Sequence, residues 1–256
     1  MISESGLNKS RLICGARMLT SLLKWSFVQH RYLFIAFTMV QTVFALAIVY
    51  GLTLMMGSLT TSQAEQLSAG VWQLGLVAVG CTIAPQLLSE SISEGLLEYQ
   101  RNLPVPRICL LIADFIIWIA VSIPGVVAGF VASTMKFGLI QMATSNLVMM
   151  LLLCALGNLS LGYIVARWLP CGGVTVVGQL IMLATMLFAP ILYPSDKLPS
   201  IILTIHDWMP FVPMHRMLTD AAFPGSNISH SIDLSVVFAW CLTGVAGCLA
   251  GLSKRR

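Results

Sequence analysis

Charge is what this sequence has least of. Its 256 residues hold 14 Lys and Arg, 10 Asp and Glu and four His, so only 9% of the chain is charged. Soluble domains carry about 25%, because a surface in water needs them. No room is left for a soluble catalytic domain, and no nucleic acid is expected among the partners.

Metal and nucleophile chemistry is equally thin. Seven cysteines occur without a Cys-x-x-Cys pair, so neither a disulfide framework nor a zinc site is expected. They read as small apolar packing residues. His30, His206, His215 and His230 all fall outside the apolar runs. Gly157-Asn158-Leu159-Ser160 suggests an intramembrane serine protease, but such an enzyme needs a buried histidine base. His206, Asp207 and His215 fit no metal-ligand spacing and read as solvated loop residues. Gly173-Val-Thr-Val-Val-Gly178 imitates the start of a phosphate loop. Gln179 and Leu180 stand where Lys and Ser or Thr are required, so no nucleotide is expected on this chain. No secretory signal peptide is evident, because the first apolar run begins near Tyr32, is too long, and lacks a small-residue cleavage site.

Apolar length is what the sequence has in excess. Mean hydropathy is +0.89 and 57% of residues are hydrophobic. About 20 apolar residues cross the hydrocarbon of a bilayer. Six runs qualify: Tyr32–Met56, Val71–Leu88, Ile108–Thr134, Leu139–Ala166, Cys171–Tyr193 and Ile232–Leu252. The expected fold is an all-α polytopic membrane protein, with residues 32–256 as one six-helix membrane domain. Residues 1–31 precede it as a basic arm. Leu12, Ala16, Leu19, Leu23 and Phe27 share one helical face there, with Arg11, Arg17 and Lys24 off it. That pattern predicts an amphipathic interfacial helix on anionic headgroups.

Six spans place both termini on one side. That side would hold Lys9, Arg11, Arg17, Lys24, Arg31, Arg101, Arg107, Arg167, Lys254, Arg255 and Arg256. The other would hold only Lys136, Lys197 and Arg216. Short cytoplasmic loops carry the excess of Lys and Arg, so the termini are expected inside the cell.

Polar residues within the runs mark helix–helix contacts or a cavity. They are Thr38, Gln41 and Thr42 in the first span, Gln73, Thr82 and Gln86 in the second, and Thr175, Gln179 and Thr185 in the fifth. Asp114 is an acid about two turns into the third span. Such acids are functional candidates, although one near a helix end also suits a structural role. Gly125-x-x-x-Gly129 and Gly247-x-x-x-Gly251 permit close helix contact, read here as packing within one chain.

Two connections carry more information. Ser89 to Arg107 is the most charged short window, with Glu90, Glu94, Glu98, Arg101 and Arg107. Ser91-x-x-Glu94 fits a capping box, Ile92, Leu96 and Tyr99 recur on one helical face, and Pro104 and Pro106 stop the helix. A short amphipathic cytoplasmic helix is expected. Residues 194–231 are too apolar for a free loop. Two short helices broken by Pro210 and Pro213 predict an external re-entrant hairpin, tolerated where its turn is buried in protein or lines a cavity.

Gly95-x-Leu97-Glu98 followed by Pro104-x-x-Arg107 resembles the cytoplasmic signature of permease subunits in type-2 ATP-binding-cassette exporters. Pro190-Ile-Leu-Tyr-Pro194, with Leu198-Pro199, Pro210 and Arg216, is similar to the family's second signature after the fifth span. Leu96, Gln100 and Pro106 depart from the usual residues. The resemblance implies a multi-pass protein of a prokaryotic plasma membrane. It implies a second permease copy and two cytoplasmic ATPase subunits, which bind ATP and Mg while this chain binds no cofactor. Glu94, Gly95, Leu96, Leu97, Glu98, Tyr99, Arg101, Pro104 and Arg107 would dock the ATPase. The polar residues of the first, second and fifth spans would line a path for an amphipathic drug, lipid or lipid-linked glycan. An ion-coupled secondary transporter and a non-transporting assembly factor are the alternatives, and a neighbouring gene for a phosphate-loop ATPase would discriminate.

A reporter enzyme active only outside the cell, fused after Arg256, is expected to be silent. Activity of that fusion would overturn the topology.

Overall fold

The computed structural model describes residues 34–57, 59–95, 107–139, 144–193, 199–223 and 230–253. Those residues form eight helices and no strand: α1 (Phe34–Met56), α2 (Thr61–Ser93), α3 (Arg107–Phe137), α4 (Ser145–Trp168), α5 (Cys171–Phe188), α6 (Ser200–Trp208), α7 (Phe211–Ala222) and α8 (His230–Ser253). Six of them, α1 to α5 and α8, are long and apolar enough to cross a membrane. This is the make-up of a multi-pass, all-α membrane protein. The basic arm of residues 1–31 lies outside the described residues.

Helix ends differ from the hydropathy boundaries for local reasons. The second span was expected over Val71–Leu88, yet α2 starts ten residues earlier. Thr60 and Gln63 form a capping box there: the Gln63 amide nitrogen donates to Thr60 Oγ1 at 3.4 Å, and the Thr60 nitrogen donates to Gln63 Oε1 at 3.1 Å. Two free N–H groups are thereby satisfied at the start of the helix. At its other end α2 continues through Ser91, so the capping box expected at Ser91-x-x-Glu94 does not form. Ser91 is interior to the last turn, where a side-chain cap has no free N–H to accept. Similarly, α3 carries Lys136 in its last turn and ends at Gly138, whose φ of +64° is left-handed. The fourth span therefore begins at Ser145, not at Leu139.

Helix α2 is the axis of the bundle. Of its most apolar window 78% is buried, against 22% for α1 and 17% for α5. It packs on α3, α4, α5 and α7. Midway along, residues Ala78–Ile83 widen into a π-helical turn, with the Ala84 N–H bonded to Val79 O. Pro85 explains the widening. It has no N–H for the Cys81 carbonyl, and its ring presses on that carbonyl in an ordinary α-turn. Small residues let neighbours close on this turn. A methyl group on Gly80 would lie 2.7 Å from Asn158 Cβ on α4, and one on Gly178 of α5 would lie 2.9 Å from Cys81 O. Gly162 of α4 meets the Gly80 carbonyl even more closely.

The two small-residue motifs also pack within the chain. Gly125 faces Gln41 of α1, Gly129 faces Val71 and Trp72 of α2, and Gly247 of α8 faces Ile164 of α4. The six described cysteines are free thiols.

Gly162→Ala is expected to lower stability by about 1–3 kcal/mol, the usual cost of overpacking a well-filled core. Gly172→Ala, where a methyl group meets nothing within 4 Å, should be neutral or slightly stabilising. Thermal unfolding midpoints in detergent would check the pair; equal midpoints would refute the close-approach argument.

Candidate functional site

After α5 the chain does not leave the bundle. Ile191 is fully buried, and Gln66 of α2 donates from Nε2 to Pro190 O and Tyr193 O, both at 3.0 Å. One side chain thus ties the start of α2 to the segment after α5. Two short helices then return toward the core. Pro199 and Pro210 sit at the caps that open α6 and α7, where a missing N–H costs nothing. Pro213, expected to break a helix, lies instead in the first turn of α7.

Contacts set the depth of this hairpin. The tip is fastened to α8 by Trp240 Nε1, which donates to Trp208 O at 2.9 Å. Met214 Sδ lies 3.5 Å from Gln73 Nε2 of α2 and 3.6 Å from Asn158 Nδ2 of α4. Counted from the helix starts at Thr61, Ser145 and His230, those partners lie roughly 15–20 Å along the bundle at 1.5 Å per residue. Far from the tip, Thr144 Oγ1 donates to Ala221 O at 3.5 Å, beside the start of α4. The hairpin therefore enters from the end where α2, α4 and α8 begin, reaches the middle, and returns.

Its helices have different surroundings. Phe211, Val212, Met214, His215, Met217, Leu218 and Ala221 of α7 are buried among α2, α4 and α8. By contrast α6 exposes Ile201, Ile205 and Trp208. Arg216 bridges the two layers, at 2.6 Å from Asp207 of α6 and 3.5 Å from Asp233 of α8. Asp233 is a buried partner in that bridge. His206 and His215 were expected in solvent and are both buried. His206 Nδ1 bonds Ile202 O at 2.9 Å, one turn back in its own helix. His215 is pushed down to about 3, first by burial and then by the Arg216 charge. Its Nδ1 has no partner among the described residues, and Ser160 donates instead to Gly157 O at 2.9 Å. Ser160 and His215 do not pair. Among the described residues no cluster of three metal-ligating side chains occurs.

The polar residues expected to line a path divide between core and surface. Gln41 is turned against Gly125 of α3 and Gln73 is fully buried against Met214. Thr42 Oγ1 bonds Thr38 O at 2.8 Å and Thr175 Oγ1 bonds Cys171 O at 3.4 Å, each within its own helix. Thr82 Oγ1 reaches Gly178 O at 3.4 Å and so joins α2 to α5. Thr185 is buried, Gln179 is exposed, and Gln86 lies 3.4 Å from Glu90 near the end of α2. They do not share one face within a single chain. Asp114 is half-buried near the start of α3.

At the opposite end from the hairpin, α2 runs out to its C-cap at Glu94, which donates to Glu90 O at 3.0 Å. Gly95 follows with a left-handed φ of +80°, where only glycine is free of strain. Both are exposed. Leu96, Leu97, Glu98, Tyr99, Arg101 and Pro104 lie outside the described residues, and Arg107 is the first residue of α3. The sequence reading missed Gln66, Trp240 and the Arg216–Asp233 pair. Their partners are far apart in the chain, so no local pattern announces them. No protein-family model and no curated protein matches the sequence.

Burial of neutral His215 gives stability a pH dependence. In the unfolded chain it takes up a proton near pH 6.5, in the folded chain only near 3. Between those values the unfolded state binds more protons, so stability falls as pH falls. The slope approaches about 1.4 kcal/mol per pH unit below 6.5. Unfolding midpoints between pH 7.5 and 5 should drop more steeply for the wild type than for His215→Gln. Parallel profiles would remove His215 as the cause.

Proposed function

We propose that this chain is the membrane-spanning subunit of an ATP-driven type-2 ATP-binding-cassette exporter. It would move an amphipathic drug, lipid or lipid-linked glycan outward. The observation that carries the reading is the continuity of α2. One largely buried helix of 33 residues holds the segment after α5 through Gln66 and the hairpin through Gln73, and bears the exposed Glu94–Gly95 exit at its other end. At 1.5 Å per residue it is about 50 Å long, against about 30 Å for the hydrocarbon core. That excess length leaves room for an end to project beyond the lipid, and in this reading the Gly95 end is the one a soluble partner reaches.

In this reading the end with Gly95 faces the cytoplasm and the hairpin dips in from outside. An ATPase subunit docks on the loop of residues 89–107, now seen to begin as the last turn of α2. Closure of two ATPase subunits moves that end, and α2 transmits the shift to the hairpin, because packed helices slide as rigid bodies rather than deform. Arg216 and Trp240 hold the hairpin to α8 until then. Helices α1 and α5 leave broad apolar faces uncovered, including Met39, Val43, Leu46, Val176, Leu180 and Leu187. A second permease copy would cover them, with the substrate path between the copies. ATP and Mg belong to the partner subunits.

Truncating a buried interface anchor often costs about 2 kcal/mol or more, and a rim charge less. Leu96→Asp is therefore expected to abolish co-purification with the ATPase subunit that this reading requires, and the substrate-stimulated hydrolysis of that subunit. Glu94→Gln should reduce both only modestly. Wild-type levels of both in a folded Leu96→Asp protein would defeat the docking role.

A further inference from the structure

The outer helix of the hairpin, α6, turns three large apolar side chains away from the rest of the chain. Ile201, Ile205 and Trp208 recur at intervals of four and three residues and so share one face. They are 72%, 51% and 75% exposed. Ile202, Leu203 and His206 on the opposite side are half-buried or buried, and the helix packs on α7. We propose that the outward face of α6 lies against lipid acyl chains, in the leaflet at the end where α2, α4 and α8 begin. The hairpin then has one helix in protein, α7, and one in lipid.

Depth, polarity and continuity argue for lipid over water or protein. Depth is set by Trp240, whose Nε1 donates to Trp208 O at 2.9 Å. The apolar span of α8 begins at Ile232, and Trp240 lies about 12 Å further along it at 1.5 Å per residue. One leaflet contributes about half of the roughly 30 Å hydrocarbon core, so Trp208 stands within that layer. Polarity agrees. Thr204, although exposed, donates from Oγ1 to Ser200 O at 3.0 Å, and His206 Nδ1 bonds Ile202 O at 2.9 Å. Bonds to the backbone one turn back satisfy polar side chains where water is absent. The Trp208 carbonyl, orphaned at the helix end, is taken by Trp240. Asp207 is neutralised by Arg216 at 2.6 Å. Arg216 is also 3.5 Å from Asp233, the residue after Ile232. Its guanidinium therefore sits at the rim of the span, where a long cationic side chain keeps its head near water. Continuity completes the case. Ile232, Phe238 and Leu242 of α8 are exposed, and only 22% of the apolar window of that helix is buried. Lipid that surrounds α8 meets α6 at the same level. The faces assigned above to a second copy belong to α1 and α5, and the proposal stands apart from the transport reading.

The test uses the full-length chain reconstituted in phosphatidylcholine vesicles, with or without bromine atoms midway along the acyl chains. Bromine quenches indole fluorescence on contact from within the lipid, and iodide, equilibrated across the membrane, quenches it from water. The emission of Trp208 is the difference between the wild type and Trp208→Phe, which keeps the backbone carbonyl that Trp240 bonds. That component is expected to fall at least twofold in brominated vesicles and to stay nearly constant with iodide. Ile205→Trp on the otherwise unaltered chain adds a second indole to the same face. Its added emission should behave alike, and it does not rely on the folding of Trp208→Phe. Quenching of these components by iodide as strong as by bromine would place the face in a water-filled vestibule and overturn the proposal. Insensitivity to both quenchers would mean that protein covers the face, a second copy or another part of this chain, and would overturn it equally.

Discussion

The contact on which the bundle depends is the meeting of α4 and α5 with the widened turn of α2. At Gly80, Gly162 and Gly178 the neighbouring backbones come too close for any side chain on those glycines. In lipid there is little hydrophobic force between helices, so association relies on van der Waals contact at short range. The closest approach therefore fixes where the helices cross. Pro85 sets the place, because the turn it forces is wider than an α-turn and presents its carbonyls to the neighbours. Cys81 Sγ and Thr82 Oγ1 then bond to carbonyls of Asn158 and Gly178 at 3.4 Å each. Weak bonds of this kind add register to a contact that packing has already made.

The hairpin follows from the same constraint. Backbone that enters an apolar interior must satisfy its own polar groups, and α6 and α7 do so as short helices. Their tip is met by Trp240, which donates to the Trp208 carbonyl, and the end of α7 by Thr144, which donates to Ala221 O; Gln66 donates to two carbonyls of the segment after α5. Met214 gives the Gln73 amide a polarizable partner and adds a second to the Asn158 amide, which already donates to Cys154 O at 2.8 Å. Arg216, a charged side chain of α7, has two carboxylates as partners. A hairpin built this way is held at defined points and is apolar between them.

Burial is distributed unevenly, and the surface reflects it. Helix α2 lies within the bundle, whereas α1 and α5 are uncovered along most of their length. Exposed apolar side chains are ordinary against lipid and need no partner of their own.

How much was legible in the sequence can be argued from particular residues. Six apolar runs, the cation asymmetry and the two short proline-broken helices were readable, because hydropathy over about 20 residues and the missing proline N–H act locally. The same local rules misplaced the capping box. Ser91-x-x-Glu94 and Thr60-x-x-Gln63 carry the same signature, but only at Thr60 does the chain arrive extended, with N–H groups still free. At Ser91 the preceding helix has already used them. His206 and His215 looked solvated because each stands in a short polar neighbourhood. Tertiary packing buried both, His215 because α7 is wedged between α2, α4 and α8 and His206 where α6 folds back on α7, and no local pattern records which helices will surround them. The sequence alone determined that the chain is helical, that six segments can span, and which end is basic. Only the tertiary structure decided how deep the hairpin reaches, which glycines touch, and that Arg216 finds Asp233. Those outcomes depend on distances between residues far apart in the chain, which close packing sets and a linear pattern does not encode.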